Sequence, residues 1–130
     1  MKINNFTDLL VWQRSMDLVV DVYRLTKAFP VDERFVLTAQ TRRSAISIPS
    51  NVAEGFRRQR RSLLSYINHL YIALGSEGEL FTQLEACRRL GYLSAKDLER
   101  PFADLREIGR MLNGLVSSLE ANLNSPTPRR

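Results

Sequence analysis

Cysteine and histidine are almost absent: the 130-residue chain carries one of each, Cys87 and His69. A lone thiol closes no internal disulfide, and a Cys/His metal cluster needs several ligands, so a disulfide-stapled scaffold and a zinc-type centre are both excluded. No cofactor is implied. Long apolar runs are missing as well. Stretches such as Leu9-Leu10-Val11-Trp12 fall far short of the ~18 residues that span a bilayer, and Met1-Lys2-Ile3-Asn4-Asn5 lacks the apolar core of a secretory signal. A cytoplasmic protein without membrane contact is expected. Lysine is scarce too: of 19 basic residues only three are lysine, against 14 acidic residues and a net charge of +5. Arginine presents a planar fork that meets phosphate or carboxylate bidentately, so one of those groups is the implied partner.

What the chain does have is a globular composition, 44% hydrophobic and 25% charged, enough for one domain over residues 1–123 followed by a flexible basic tail, 124–130. Apolar periodicity predicts four helices and no strand. The first runs from Thr7, its expected cap, to Phe29 before Pro30. It carries two apolar stripes: Leu9, Trp12, Met16, Val19 and Tyr23 are read as the core face. Val11, Leu18, Val22, Leu25 and Phe29 lie on another side and are read as a face between subunits, one wide buried face being the alternative. The second helix starts at Asp32 and reaches the arginines near Arg57, with a kink expected at Pro49. Ser62 caps the third helix, which ends at Gly91, and Gly75, Ser76 and Gly78 suggest a tight helix crossing within it. Ser94 with Asp97 opens the fourth, with Pro101 kinking its first turns or moving its start later. Linkers of a few residues make successive helices antiparallel, giving an all-α, up-down-up-down four-helix bundle.

Five segments occur in order: Leu9-Leu10-Val11-Trp12-Gln13, Tyr23 to Pro30, Gln40-Thr41-Arg42-Arg43-Ser44-Ala45, Ser47 to Gly55, and Ala73-Leu74-Gly75-Ser76. Together they resemble the bacterial four-helix-bundle family named for the 23S rRNA intervening-sequence protein, over residues 6–93, with helix 4 alike only in character. The resemblance implies a small cytoplasmic bundle, often pentameric, similar in fold to the accessory protein of diversity-generating retroelements. It implies association with nucleic acid and no enzyme activity. The departure from the family pattern is the junction Arg57-Arg58-Gln59-Arg60-Arg61.

That junction is the leading candidate site. Arg57, Arg58, Arg60 and Arg61 stand beside the positive end of a helix, where side-chain charge and unpaired backbone donors converge on the arrangement phosphates prefer. The alternative is a solvated turn whose arginines keep company with a carboxylate such as Glu54. Without interleaved aromatic residues, RNA would be recognised by backbone and shape. A second constellation, Gln40, Arg43, Asn51 and Glu54, is read as an internal polar network in which Arg43 meets Glu54 or Glu79, with a binding site as the alternative. Catalysis has the least support. His69 with Ser65 lacks an orienting third group, Cys87 sits among apolar positions, and Glu54, Glu77 and Glu79 lack the Glu-x-x-His pairs of a bundle metal site. The expected function is therefore a non-catalytic homo-oligomer that binds structured RNA, the alternative being an oligomeric scaffold that recruits a protein partner.

Overall fold

In a computed structural model, residues 2–124 are described. They form four helices, α1 (Leu10–Thr26), α2 (Leu37–Arg58), α3 (Leu63–Arg89) and α4 (Glu99–Asn124), with 3-10 turns at Phe6–Asp8 and Val31–Glu33. The helices pack around a ring, α1 on α2, α2 on α3, α3 on α4 and α4 on α1, and the α2–α3 seam is the most extensive. Paired contacts fix the directions. Ser47 meets Ser76 while Gly55 lies against Tyr66 and His69, and Phe81 meets Phe102 while Tyr71 meets Glu120. Arg42 meets Thr26, and Arg100 reaches back to Asp21. Each neighbour is antiparallel, so the bundle runs up-down-up-down.

Helix ends follow from short-range hydrogen bonding, in which side chains satisfy the donors and acceptors that a terminus leaves open. The cap before α1 is Asn5, not Thr7. Asn5 Oδ1 accepts from the Thr7 amide at 3.1 Å and Asp8 Oδ2 accepts from the Asn5 amide at 3.1 Å, a capping box on the first 3-10 turn. The helix itself begins after Leu9 and stops at Thr26, short of Phe29. Asp32 does not open α2 either: it falls in the second 3-10 turn, and Glu33 Oε1 reaches the Leu37 amide at 3.4 Å. From Leu37 the helix continues through Pro49, whose ring is buried. Ser62 caps α3 by accepting from the Ser65 amide. At its other end the Gly91 amide donates to Arg88 and the Tyr92 amide to Cys87, with Gly91 at φ +85°, the left-handed position that glycine occupies without strain. Ser94 and Asp97 exchange reciprocal bonds of 3.0 and 2.9 Å, which hold Asp97 below its usual carboxylate range. The helix they prepare starts later, at Glu99, and accepts Pro101 in its first turn, where the missing amide hydrogen breaks no bond. It reaches Asn124, one residue into the expected tail. The rest of that tail lies outside the described residues.

The stripe of α1 read as a face between subunits is the more buried one, and part of the other packs into the core beside it, as in the single wide buried face given as the alternative. Leu18 and Val22 are fully buried and Val11 nearly so, in one core with Ile48, Val52, Leu70 and Leu112. Leu25 and Phe29 are half-buried against that core. Of the stripe expected inside, Val19 is buried, Leu9 and Trp12 are half-buried, and Met16 and Tyr23 are exposed. Both stripes carry branched or aromatic side chains, so periodicity alone could not say which would be covered by α2 and α4. The tight crossing is kept at the buried Ser76, whose Oγ lies 2.7 Å from Ser47 Oγ, but not at the two glycines. Nothing approaches within 4 Å of the Cβ position at Gly75 or Gly78, whereas a Cβ on Gly55 of α2 would sit 2.8 Å from His69 Cβ and 3.0 Å from Tyr66 Cδ1. No helix of the described residues is long and apolar enough to cross a membrane.

Candidate functional site

All four junction arginines are exposed, but they divide into different environments. Arg57 and Arg58 close α2, where cations complement the negative end of the helix. The turn is drawn tight by Arg58, whose carbonyl accepts from the amides of Arg61 at 3.0 Å and Ser62 at 2.9 Å. Arg58 Nη2 donates to Glu54 Oε2 at 3.0 Å, the carboxylate company foreseen for a solvated turn. Arg57 instead places its guanidinium 5.9 Å from the Phe6 ring centroid. With Arg60, Gln59, Asn4, Asn5 and Phe6 it lines a hollow of about 430 Å³ between the N-terminal segment and the junction. Arg57 and Arg60 thus share one concavity, Arg58 is tied to Glu54, and Arg61 stands outside that lining. The N-terminal segment, with its polar Asn4 and Asn5 side chains, was not foreseen as part of this site. The only signal for it is the Asn5/Asp8 spacing that folds it back.

The polar constellation of α2 is reassigned in part. Gln40 and Arg43 are exposed and do not enter the interior. Asn51 and Glu54 do bridge toward α3, through other partners. Asn51 Nδ2 donates to the Ser47 carbonyl at 2.8 Å and to Ser47 Oγ at 3.0 Å, and Ser47 Oγ is 2.7 Å from Ser76 Oγ. Glu54 Oε2 lies 3.6 Å from His69 Nε2 and accepts from Arg58, so Arg43 pairs with neither Glu54 nor Glu79 in the way expected. The misjudgement is one of helix phase: Thr41, Ser44, Ala45 and Ile48 mark the buried arc of α2, and at about 100° per residue Arg43 falls on the opposite side. Arg42 is the arginine held in place. Its Nε donates to Thr26 Oγ1 at 2.8 Å and its guanidinium stacks 4.5 Å from the Tyr23 ring centroid.

The remaining chemistry-bearing side chains are structurally committed. His69 Nδ1 lies 2.9 Å from the Ser65 carbonyl oxygen, which can only accept, so Nδ1 carries the hydrogen and the bond goes to backbone, not to the Ser65 hydroxyl. Cys87 is buried, and burial with the nearby Glu33 carboxylate pushes its thiol up to about 11. Tyr92 donates to Glu33 Oε2 at 2.9 Å, which raises the phenol's pKa and ties the start of α2 to the α3–α4 turn. Val11, Leu18 and Val22 cannot form a surface between subunits, because the protomer itself buries them.

A crystal structure of a protein of unknown function from the S23 ribosomal protein family of Bacteroides thetaiotaomicron superposes with a TM-score of 0.74 at 29% identity, covering 83% of this chain and 96% of that one. No curated protein matches the sequence. The family model of the 23S rRNA-intervening sequence protein matches residues 7–114, which carries the likeness beyond residue 93 and well into α4. With four antiparallel helices in the described residues and a match that spans most of its length, the chain belongs to the 23S rRNA-intervening sequence protein family.

Proposed function

We propose that this protein is a non-catalytic, cytoplasmic, self-associating bundle that binds structured RNA through arginine–phosphate pairing at the α2–α3 junction. The observation that carries the reading is the hollow shared by Arg57 and Arg60 between the end of α2 and the N-terminal segment. There, two guanidinium forks and the side-chain amides of Asn4, Asn5 and Gln59 line one concavity, a donor set that suits a phosphate group. The family's description, which refers to intervening sequences of 23S rRNA, supports an RNA partner. Self-association needs apolar side chains left exposed by the protomer, a condition that Leu64, Tyr71 and Ile72 of α3 meet. Five copies is the number the family resemblance implies.

The test is a salt series with a structured RNA hairpin. Log affinity should fall linearly with log salt, and replacing Arg57, Arg58, Arg60 and Arg61 by glutamine should reduce the slope by about 0.7–0.9 for each phosphate that is no longer neutralised. Because Arg58 is engaged by Glu54, the Arg57→Gln/Arg60→Gln pair should account for most of that change. Thermal stability should move little, each exposed site contributing within about 0.5 kcal/mol. Affinity and slope unchanged by all four substitutions would favour the scaffold that recruits a protein partner. Light scattering that finds a monomer at micromolar concentration would remove the self-association part.

A further inference from the structure

The surface between α1 and α2 holds a second basic concavity, remote in sequence from the junction. Three hollows, of about 450, 400 and 200 Å³, share residues with one another: Tyr23 and Ile46 join the first to the second, and Arg34, Thr38 and Arg42 join the second to the third. They make one groove. Its cationic lining consists of Arg24, Lys27, Arg34, Arg42 and Arg43, and no Asp or Glu lines any of the three hollows. Of the carboxylates nearby in sequence, Asp21 accepts from Arg24 at 2.8 Å and offsets that one cation, Glu33 accepts from Tyr92, and Asp32 is exposed without entering the lining. The floor is aliphatic: Val19 is buried, while Val20 and Ile46 remain 54% and 43% exposed. Arg42 is preorganised by Thr26 and Tyr23, and with its Nε hydrogen used on Thr26 the remaining donors are those of its two terminal nitrogens.

From this combination we infer that the α1–α2 groove docks an acidic amphipathic helix of a partner protein. The charge of the rim selects an acidic ligand, and the floor selects its class. Single-stranded nucleic acid is held by open aromatic faces on which bases stack. Here both rings in the groove's lining are engaged, Tyr23 by a stacked guanidinium and Phe29 by the Tyr92 ring, and the floor of the first hollow is otherwise branched aliphatic. Aliphatic floors between two helices accept the i, i+3/i+4, i+7 side chains of a third helix, while carboxylates on its flanks meet the basic rims. The dimensions agree: Val19 to Lys27 is about 12 Å of helix at 1.5 Å per residue, or roughly two turns, and the groove continues to Pro30 and Arg34. This inference is independent of RNA binding at the junction.

A labelled synthetic peptide of about four helical turns, with leucine at i, i+3/i+4 and i+7 and glutamate on its other faces, is titrated with the full-length protein. A scrambled peptide of equal charge and a short oligouridylate serve as the comparison probes. The amphipathic peptide should bind and gain helicity, with the scrambled peptide weaker by about tenfold or more. Ile46→Glu and Arg43→Glu should each weaken binding by a similar factor while hairpin-RNA affinity stays as in the parent. Ile46→Ser is the milder variant should Ile46→Glu lower the melting temperature. Equal binding of both peptides, indifference to Ile46 and Arg43 substitution, or displacement of the peptide by oligouridylate in an Ile46-dependent manner would overturn the inference. So would a change in oligomeric state on Ile46→Glu, which would make the occupant a second copy of this chain.

Discussion

The two sides of α3 use the same kinds of residue to opposite ends. Toward α2, the buried Ser76 meets Ser47, and Tyr66 and His69 close on Gly55. On the other side, Gly75 and Gly78 face open space, next to exposed Tyr71 and Ile72. Gly75 and Ser76 are consecutive, yet one stands in solvent and the other in the seam. A small residue therefore marks a close approach only when its helical phase points at a neighbour, and at this seam the glycine that permits the approach belongs to α2. Burial at the seam also perturbs titration: Tyr66, cut off from water, has its phenol pushed up to about 12.

Breaking that contrast on α1 gives the largest expected effect. Leu18→Glu places a charge in the core and should cost more than about 4 kcal/mol, lowering the melting temperature drastically or abolishing folding. Met16→Glu, two residues away and exposed, should stay within about 0.5 kcal/mol of the parent. Equal losses from the two would reverse the assignment of the stripes. Next comes Gly55→Ala, whose added Cβ meets His69 Cβ at 2.8 Å and the Tyr66 carbonyl oxygen at 3.2 Å. Moving α3 to relieve this should cost about 1–3 kcal/mol, read from urea midpoints at unchanged slope. Gly78→Ala, the same chemical change at the open side, should instead stabilise by about 0.5–1 kcal/mol, since only helix propensity is altered.

The smallest effect is expected at Glu77, whose carboxylate lies beside Gly109 of α4. Burial raises its pKa above the ordinary value of 4.5, so the folded state holds this proton more tightly than the unfolded chain does. The resulting stabilisation is complete below the unfolded pKa and disappears as pH rises through the folded value. Glu77→Gln should therefore raise the melting temperature slightly at pH 7, by the equivalent of at most about 0.5 kcal/mol given partial exposure. That advantage should vanish near pH 3. A gain that persists unchanged into acid would show that the carboxylate's charge is not what burial penalises.

Features set by two or three adjacent residues were legible in the sequence. The Ser62 cap, the Ser94/Asp97 pair and the glycine turn at Gly91 all stand where residue chemistry puts them. The exposure of Arg57, Arg58, Arg60 and Arg61 was legible for the same reason, because a short junction has nowhere to bury them. What required tertiary structure was phase. α1 is apolar on two sides and α3 on nearly all, so hydrophobic spacing did not single out the covered face, and Leu18 and Val22 were placed outside the bundle they fill. Arg43 was drawn inward for a similar reason, while its neighbour Arg42 holds the contact to α1. The α1–α2 groove was illegible because its cations come from three separate stretches, around Arg24, Arg34 and Arg42, that only folding brings together.

The α2–α3 seam has a kinetic consequence. Its two helices are joined by a turn of only a few residues, Gln59 to Ser62, so bringing them together closes a short loop and costs little chain entropy. The most extensive interface of the molecule is thus also among its most local in sequence, whereas the α1–α4 seam must join the two ends of the chain. Topologies of this kind fold fast, and the expected order is that the α2–α3 hairpin assembles early and supplies the surface on which α1 and α4 condense, which higher φ-values at Ile48 and Leu70 than at Leu18 and Leu112 would check.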